Sequence, residues 1–84
     1  MATVTLRYRG PLAEAIGKEE ESLSVGTVRD ALKHIKSAYG AKAEKLAKTM
    51  LIVIDGESIL LRKGFATPLR EGEILQFLPI CGGG

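Results

Sequence analysis

The sequence predicts an α+β domain, a mixed sheet of about five strands with one main helix packed across it. Three observations carry this expectation. Apolar and polar residues alternate from Thr3 to Arg9, apolar residues recur at spacings of four, three and four from Val28 to Tyr39, and short apolar runs between turn residues follow Met50. With 84 residues, 45% of them hydrophobic, the chain is read as one domain that buries roughly 60 to 65% of its unfolded surface.

In the first strand Val4, Leu6 and Tyr8 share one face and Thr5, Arg7 and Arg9 the other, until Gly10-Pro11 ends it. Leu12 to Gly17 offers one helical turn closed by Gly17. The charged stretch Lys18 to Glu21 leads into a short second strand, Ser22 to Val25, which pairs hairpin-like with the first. Thr27 is placed to cap a helix with Asp30 three residues on, and Val28, Leu32, Ile35 and Tyr39 form its apolar stripe up to Gly40. The opposite face carries Arg29, Lys33, His34, Lys36 and Ser37, so His34 is expected in solvent. Ala41 to Lys48 adds a short second helix with Lys42, Lys45 and Lys48 outward.

Met50 to Ile54 is apolar on both faces, as a strand covered by a helix should be. Asp55-Gly56 turns it into a fourth strand, Ser58 to Leu61, and Arg62 to Arg70 is expected as loop. Glu71-Gly72 turns the chain into the last strand, Ile74 to Leu78, with Leu75 and Phe77 inward and Gln76 and Leu78 outward. A hairpin, a crossing helix and a last strand returning beside the first make a β-grasp layout. Residues 1–78 are expected to form this domain, and 79–84 a flexible C-terminal tail ending in Gly-Gly.

Composition removes several function classes. The longest apolar run, Met50 to Ile54, is far short of the ~20 residues of a membrane-spanning helix, and the N-terminus lacks the order of a secretory signal, so a cytoplasmic protein without membrane contact is expected. One Cys and one His cannot make a disulfide or a Cys/His zinc cage, so no metal is expected. Net charge is only +2, with lysines interleaved with glutamates and only two Tyr, two Phe and no Trp, which argues against nucleic acid as a partner. A nucleophile with its base, or a carboxylate pair, is not visible, and an enzyme with its own active site is not expected.

The tail is the distinctive feature. Gly82-Gly83-Gly84 follows the last strand through Pro79, so the α-carboxylate of Gly84 is expected on an arm without β-carbons, suited to a narrow channel. Ordering such an arm costs about 1 to 2 kcal/mol per residue, so a folded surface must supply the offsetting contacts. Gln76, Leu78, Pro79 and Ile80 are the candidate partner-binding residues, with Leu78 expected as an exposed apolar side chain. Cys81 occupies an apolar position; it is either a plain contact residue or a reactive thiol able to form a thioester or a disulfide with a donor enzyme.

Leu75 to Gly84, with its strand, Pro79 and terminal Gly-Gly, resembles the end of the ubiquitin-like sulfur carriers, especially the small subunit of molybdopterin synthase and its thiamine-pathway relative. Leu12-x-Glu14-x-x-Gly17, Thr27-Val28, Ile54-Asp55-Gly56-Glu57, Pro68-Leu69 and Glu71-Gly72-Glu73 extend the resemblance along the chain. Ile80 stands where the family often has a second proline, and Gly82 replaces a small polar residue.

The resemblance implies a sulfur carrier without a bound cofactor. An E1-like enzyme would adenylate Gly84 at the expense of ATP, a persulfide donor would convert it to a thiocarboxylate, and the tail, through Gly82 and Gly83, would thread into a larger catalytic synthase subunit that makes molybdopterin. Sulfur delivery to thiamine, cysteine or tRNA thiolation, and a ubiquitin-like modifier whose activated Gly84 is attacked by a lysine, are the alternatives. A non-covalent interaction domain with an inert tail is the third class.

Overall fold

The computed structural model describes residues 1–80. In chain order it contains β1 (Ala2–Tyr8), α1 (Gly10–Ile16), β2 (Glu20–Val25), α2 (Val28–Tyr39), α3 (Ala41–Lys48), β3 (Leu51–Ile54), β4 (Glu57–Ser58) and β5 (Ile74–Leu78). Two 3-10 turns, Ile59–Leu61 and Gly64–Ala66, occupy the connection from β4 to β5. The strand order is β2-β1-β5-β3-β4. The central pair β1 and β5 is parallel and the other neighbours are antiparallel. The two parallel strands lie far apart in sequence, and the helices connect them over one sheet face.

Alternation fixes which side chains that face receives. Val4, Leu6 and Tyr8 of β1, Ile52 and Ile54 of β3, and Leu75 and Phe77 of β5 are all buried in one cluster with Leu12, Val28, Ala31, Leu32, Ile35, Ala43 and Ala47 of the helices. A stripe at helical spacing meeting a period-two stripe is the simplest way for α2 to bury its apolar side. Thr27 caps α2 as its position predicts, its hydroxyl accepting from the Asp30 amide at 3.2 Å. Gly17 ends α1 in the left-handed conformation, φ 85°.

Three elements differ from expectation. The Leu12 to Gly17 turn begins earlier, at Gly10, and makes a seven-residue helix. β2 starts at Glu20 because its ladder with β1 continues to the pair Arg7 and Glu20. The fourth strand is only Glu57–Ser58, and Ile59–Leu61 coils instead. Ser58 Oγ accepts from the Leu60 amide at 3.1 Å, and Ile59 is buried while Leu60 and Leu61 are exposed. The Ser58 cap on the Leu60 amide favours a turn over continued strand pairing and leaves only Ile59 in the core. Asp55 and Gly56, with φ 49° and 88°, close the hairpin from β3 to β4, the pair of positive φ values that a two-residue loop of this hand needs. The turn is also tied to β5, since Ile74 N donates to Asp55 Oδ1 at 3.1 Å and Asp55 N donates to Ile74 O at 3.1 Å.

Candidate functional site: the surface at the root of the C-terminal segment

β5 is the strand that delivers the chain to its C-terminal segment, and the sheet fixes what surrounds it. Leu75 and Phe77 point into the core, which turns Gln76 and Leu78 to the outer face. There Gln76 pairs with Arg7 of β1 and Val53 of β3, and Leu78 pairs with Leu51. Both Gln76 and Leu78 are half-buried. The expected exposure of Leu78 is therefore corrected: its cross-strand neighbour Leu51 shares the outer face with it and covers part of it. Pro79 and Ile80 are exposed, Ile80 at 64%. The remaining candidates, Cys81, Gly82, Gly83 and Gly84, lie outside the described residues.

Pro79 has a prepared seat. Gly10 adopts φ +58°, and a Cβ at that position would stand 3.3 Å from Pro79 Cγ. The positive φ favours glycine there, and a side chain would press on Pro79, so the junction of β1 and α1 helps to set where the segment leaves the sheet.

Beyond Pro79 the surface is apolar. Ile80, Leu51, Leu60 and Phe65 rim an open groove of about 240 Å³ floored by Ile52 and Ile59. Leu60 is 80% exposed, and Leu51, Phe65 and Leu61 add further unburied apolar area. Clustered exposure of large apolar side chains at one place marks an interaction surface, whereas the same residues scattered singly would not. The first 3-10 turn that presents Leu60 is anchored by Arg62, whose Nε lies 2.6 Å from Glu57 Oε1 and whose NH1 lies 3.7 Å from Glu73 Oε2. The hydrogen bond to Glu57 raises the Arg62 pKa further, so the clamp stays charged.

Among the described residues no three His, Cys, Asp or Glu side chains gather to hold a metal ion. No helix among them is long and apolar enough to cross a membrane. The groove at the root of the segment is mainly apolar, with Lys48, Thr49 and Ser58 as its polar lining residues.

Sequence reasoning missed Leu51, Leu60 and Phe65 as members of this surface. Leu60 falls in the stretch expected as the fourth strand, although the unbroken run Ile59-Leu60-Leu61 is itself a sign against a half-buried strand. Phe65 stood in a stretch read as loop, where a large aromatic between Gly64 and Ala66 is the one signal available.

A helix laid across a mixed five-stranded sheet, with the last strand parallel to the first and leading to the C-terminal segment, defines a ubiquitin-like β-grasp protein. Within that class the chain belongs to the ThiS family, whose model matches residues 6–84. Solved structures agree on the fold. The small archaeal modifier protein 1 from Methanosarcina acetivorans is 27% identical, with all of this chain and 98% of that one covered at a TM-score of 0.85. A chain of the Amycolatopsis orientalis BexX/CysO complex is 19% identical, covering 96% of this chain and 99% of that one at 0.80. A chain of the complex of subunits 1 and 2 of molybdopterin-converting factor from Helicobacter pylori is 22% identical, covering 98% and 99% at 0.70. No match was found among curated proteins. The family resemblance seen in the tail and turn motifs thus holds along almost the whole chain, and it places the protein among small ubiquitin-like carriers and modifiers.

Proposed function

We propose that this protein is a sulfur carrier whose Gly84 carboxylate is adenylated by an E1-like enzyme, converted to a thiocarboxylate, and used as the sulfur source for molybdopterin, with the chain serving as the small subunit of the synthase. The observation that carries the proposal is the apolar groove at Ile80, two residues before the first of the three glycines, in a chain whose family match runs through residue 84. A carboxylate is a poor electrophile. Its oxygen attacks the α-phosphorus of ATP with loss of pyrophosphate, and the terminal sulfur of a persulfide then displaces AMP. A thiol cleaves the resulting acyl disulfide and leaves the thiocarboxylate. Every step needs the partner enzymes to hold the carrier while Gly82 and Gly83 lie in a narrow channel, and Gln76, Leu78, Pro79 and Ile80, joined by Leu51, Leu60 and Phe65, offer the surface for that. The carrier is co-substrate, not catalyst. Cys81 is placed by the same proposal as a contact residue of the channel mouth.

A second reading has a specific observation behind it. The likeness to small archaeal modifier protein 1, at 27% identity over the full chain, favours conjugation of the activated Gly84 to a lysine amine of a target protein. The two outcomes share the adenylate and part at the nucleophile. Thiocarboxylated protein mixed with a larger synthase subunit and a cyclic pterin precursor is expected to lose its sulfur to the pterin and return to the carboxylate. Retention of the sulfur there, with Gly84 found in isopeptide linkage on cellular proteins, would replace the molybdopterin role by the modifier; retention without such linkages would point to thiamine, cysteine or tRNA thiolation.

A further inference from the structure

Away from the groove, the chain's two tyrosines converge on a single carboxylate. Glu21 lies on the helix-facing side of β2, its side chain only 16% exposed. Tyr8, at the end of β1, donates its hydroxyl to Glu21 Oε2 at 2.5 Å. Tyr39, in the last turn of α2, donates to Oε1 at 2.8 Å and to Oε2 at 2.9 Å. His34, one turn earlier on α2, places Nε2 3.3 Å from Oε2. Lys18, in the loop after α1, brings Nζ to 3.6 Å from Oε1 and to 5.7 Å from the centre of the Tyr39 ring. The expectation that His34 belongs to the solvated helix face is corrected by this arrangement: its ring is turned edge-on to Tyr39, with centroids 5.9 Å apart. The helical spacing that put His34 among lysines did not show that a carboxylate from β2 would reach it.

We propose that Glu21 is an acid-released latch: as a carboxylate it fastens the C-terminal turn of α2 to β1 and β2, and on protonation it lets that end of the helix go. The donor count is the reason. The two phenols and the ammonium present hydrogens, as does the imidazole in the tautomer that carries one on Nε2, and an ionised carboxylate has the lone pairs to accept them together. A protonated carboxyl gives up part of that capacity and points a hydrogen of its own into a ring of donors. Tyr8 is fully buried, so its hydroxyl has no water to turn to.

The sense of the pH effect follows from the same contacts. Burial pushes the Glu21 pKa up, but the hydrogen bonds from Tyr8 and Tyr39, and then His34, hold it below its ordinary value of 4.5. A carboxylate with a lowered folded-state pKa stabilises the fold above the unfolded value, and that stabilisation is lost as pH falls through the folded value. The latch is closed at neutral pH and opens in acid below 4.5. Burial and the bond to Glu21 raise the pKa of both Tyr8 and Tyr39, so the phenols stay protonated donors across this range.

The molecule supplies its own reporter. With no Trp and only Tyr8 and Tyr39 as tyrosines, intrinsic fluorescence comes from the latch alone, and a phenol hydrogen-bonded to a carboxylate emits weakly. Tyrosine emission and the urea midpoint of the full chain should be followed from about pH 7 to about pH 3. In the wild type, emission is expected to rise and the urea midpoint to fall together below 4.5. Glu21→Gln should start with high emission and a low midpoint, and both should vary much less with pH. Tyr39→Phe covers the case in which the Gln variant does not fold; it should keep the fold and lose much of the amplitude of the emission change. Wild-type emission that stays flat over this range, or a Glu21→Gln or Tyr39→Phe titration that tracks the wild type, would overturn the latch. Neither readout involves ATP or sulfur, so the result is independent of the proposed carrier role.

Discussion

Phe77→Ala is expected to lower the unfolding free energy by about 3 to 5 kcal/mol, the usual cost of truncating a buried aromatic. Phe77 is fully buried on β5, between β1 and β3, with Tyr8 and Ile52 as its strand neighbours. Its ring packs against Tyr8 with centroids 5.7 Å apart. Phe77 belongs to one buried cluster with Leu12, Val28, Leu32 and Ile35 of the helices, and a close-packed core refills such a space only in part. A domain of this size has a total stability on the order of 5 to 10 kcal/mol, so the variant should stand at the edge of unfolding at room temperature. Urea denaturation followed by far-ultraviolet circular dichroism measures the loss, and a loss below about 1 kcal/mol would mean that the core is not organised around β5 as described.

The second large effect is on docking and leaves the fold alone. Leu60 and Ile80 are exposed and line one groove, so Asp at both positions removes two apolar contacts and asks a partner to desolvate two charges. Burying each leucine or isoleucine is worth about 1.5 to 3 kcal/mol, which is tenfold or more in affinity per residue. Calorimetric titration of the double variant against the activating enzyme is expected to show at least a hundredfold weaker binding with an unchanged melting temperature. Unchanged affinity would remove the groove from the interface. Leu78→Asp is the informative contrast: because Leu78 is half-buried beside Leu51, its substitution should lower stability as well as affinity.

The parts of this molecule that could be read from the sequence are those where periodicity meets a turn residue. β1 and α2 have clear apolar spacing, β3 is a short apolar run closed by a turn, and Thr27, Gly17 and Asp55-Gly56 punctuate the chain by stereochemistry that few other residues satisfy. The segment Ile59 to Ala66 was not legible in the same way, since apolar residues in a row carry no period and the outcome depends on what covers them. Leu60 and Phe65 acquire meaning only when the sheet sets them beside Ile80. The Glu21 cluster was hidden for a related reason. Tyr8, Glu21, His34 and Tyr39 come from three elements, and each alone reads as an ordinary half-buried or surface residue until the β1 and β2 register and the position of α2 place them around one carboxylate. Gly10 behaves likewise: it reads as the end of a strand, and only the arrival of Pro79 shows that a side chain there would be crowded.

The central claim, that Gly84 carries sulfur after activation, is tested most directly by the intact mass of the protein after incubation with ATP, an E1-like enzyme and a persulfide source. The account predicts exchange of one terminal oxygen for sulfur, dependent on ATP and lost when Gly84 is deleted. An unchanged mass in the presence of an enzyme that thiocarboxylates its own carrier under the same conditions would contradict it.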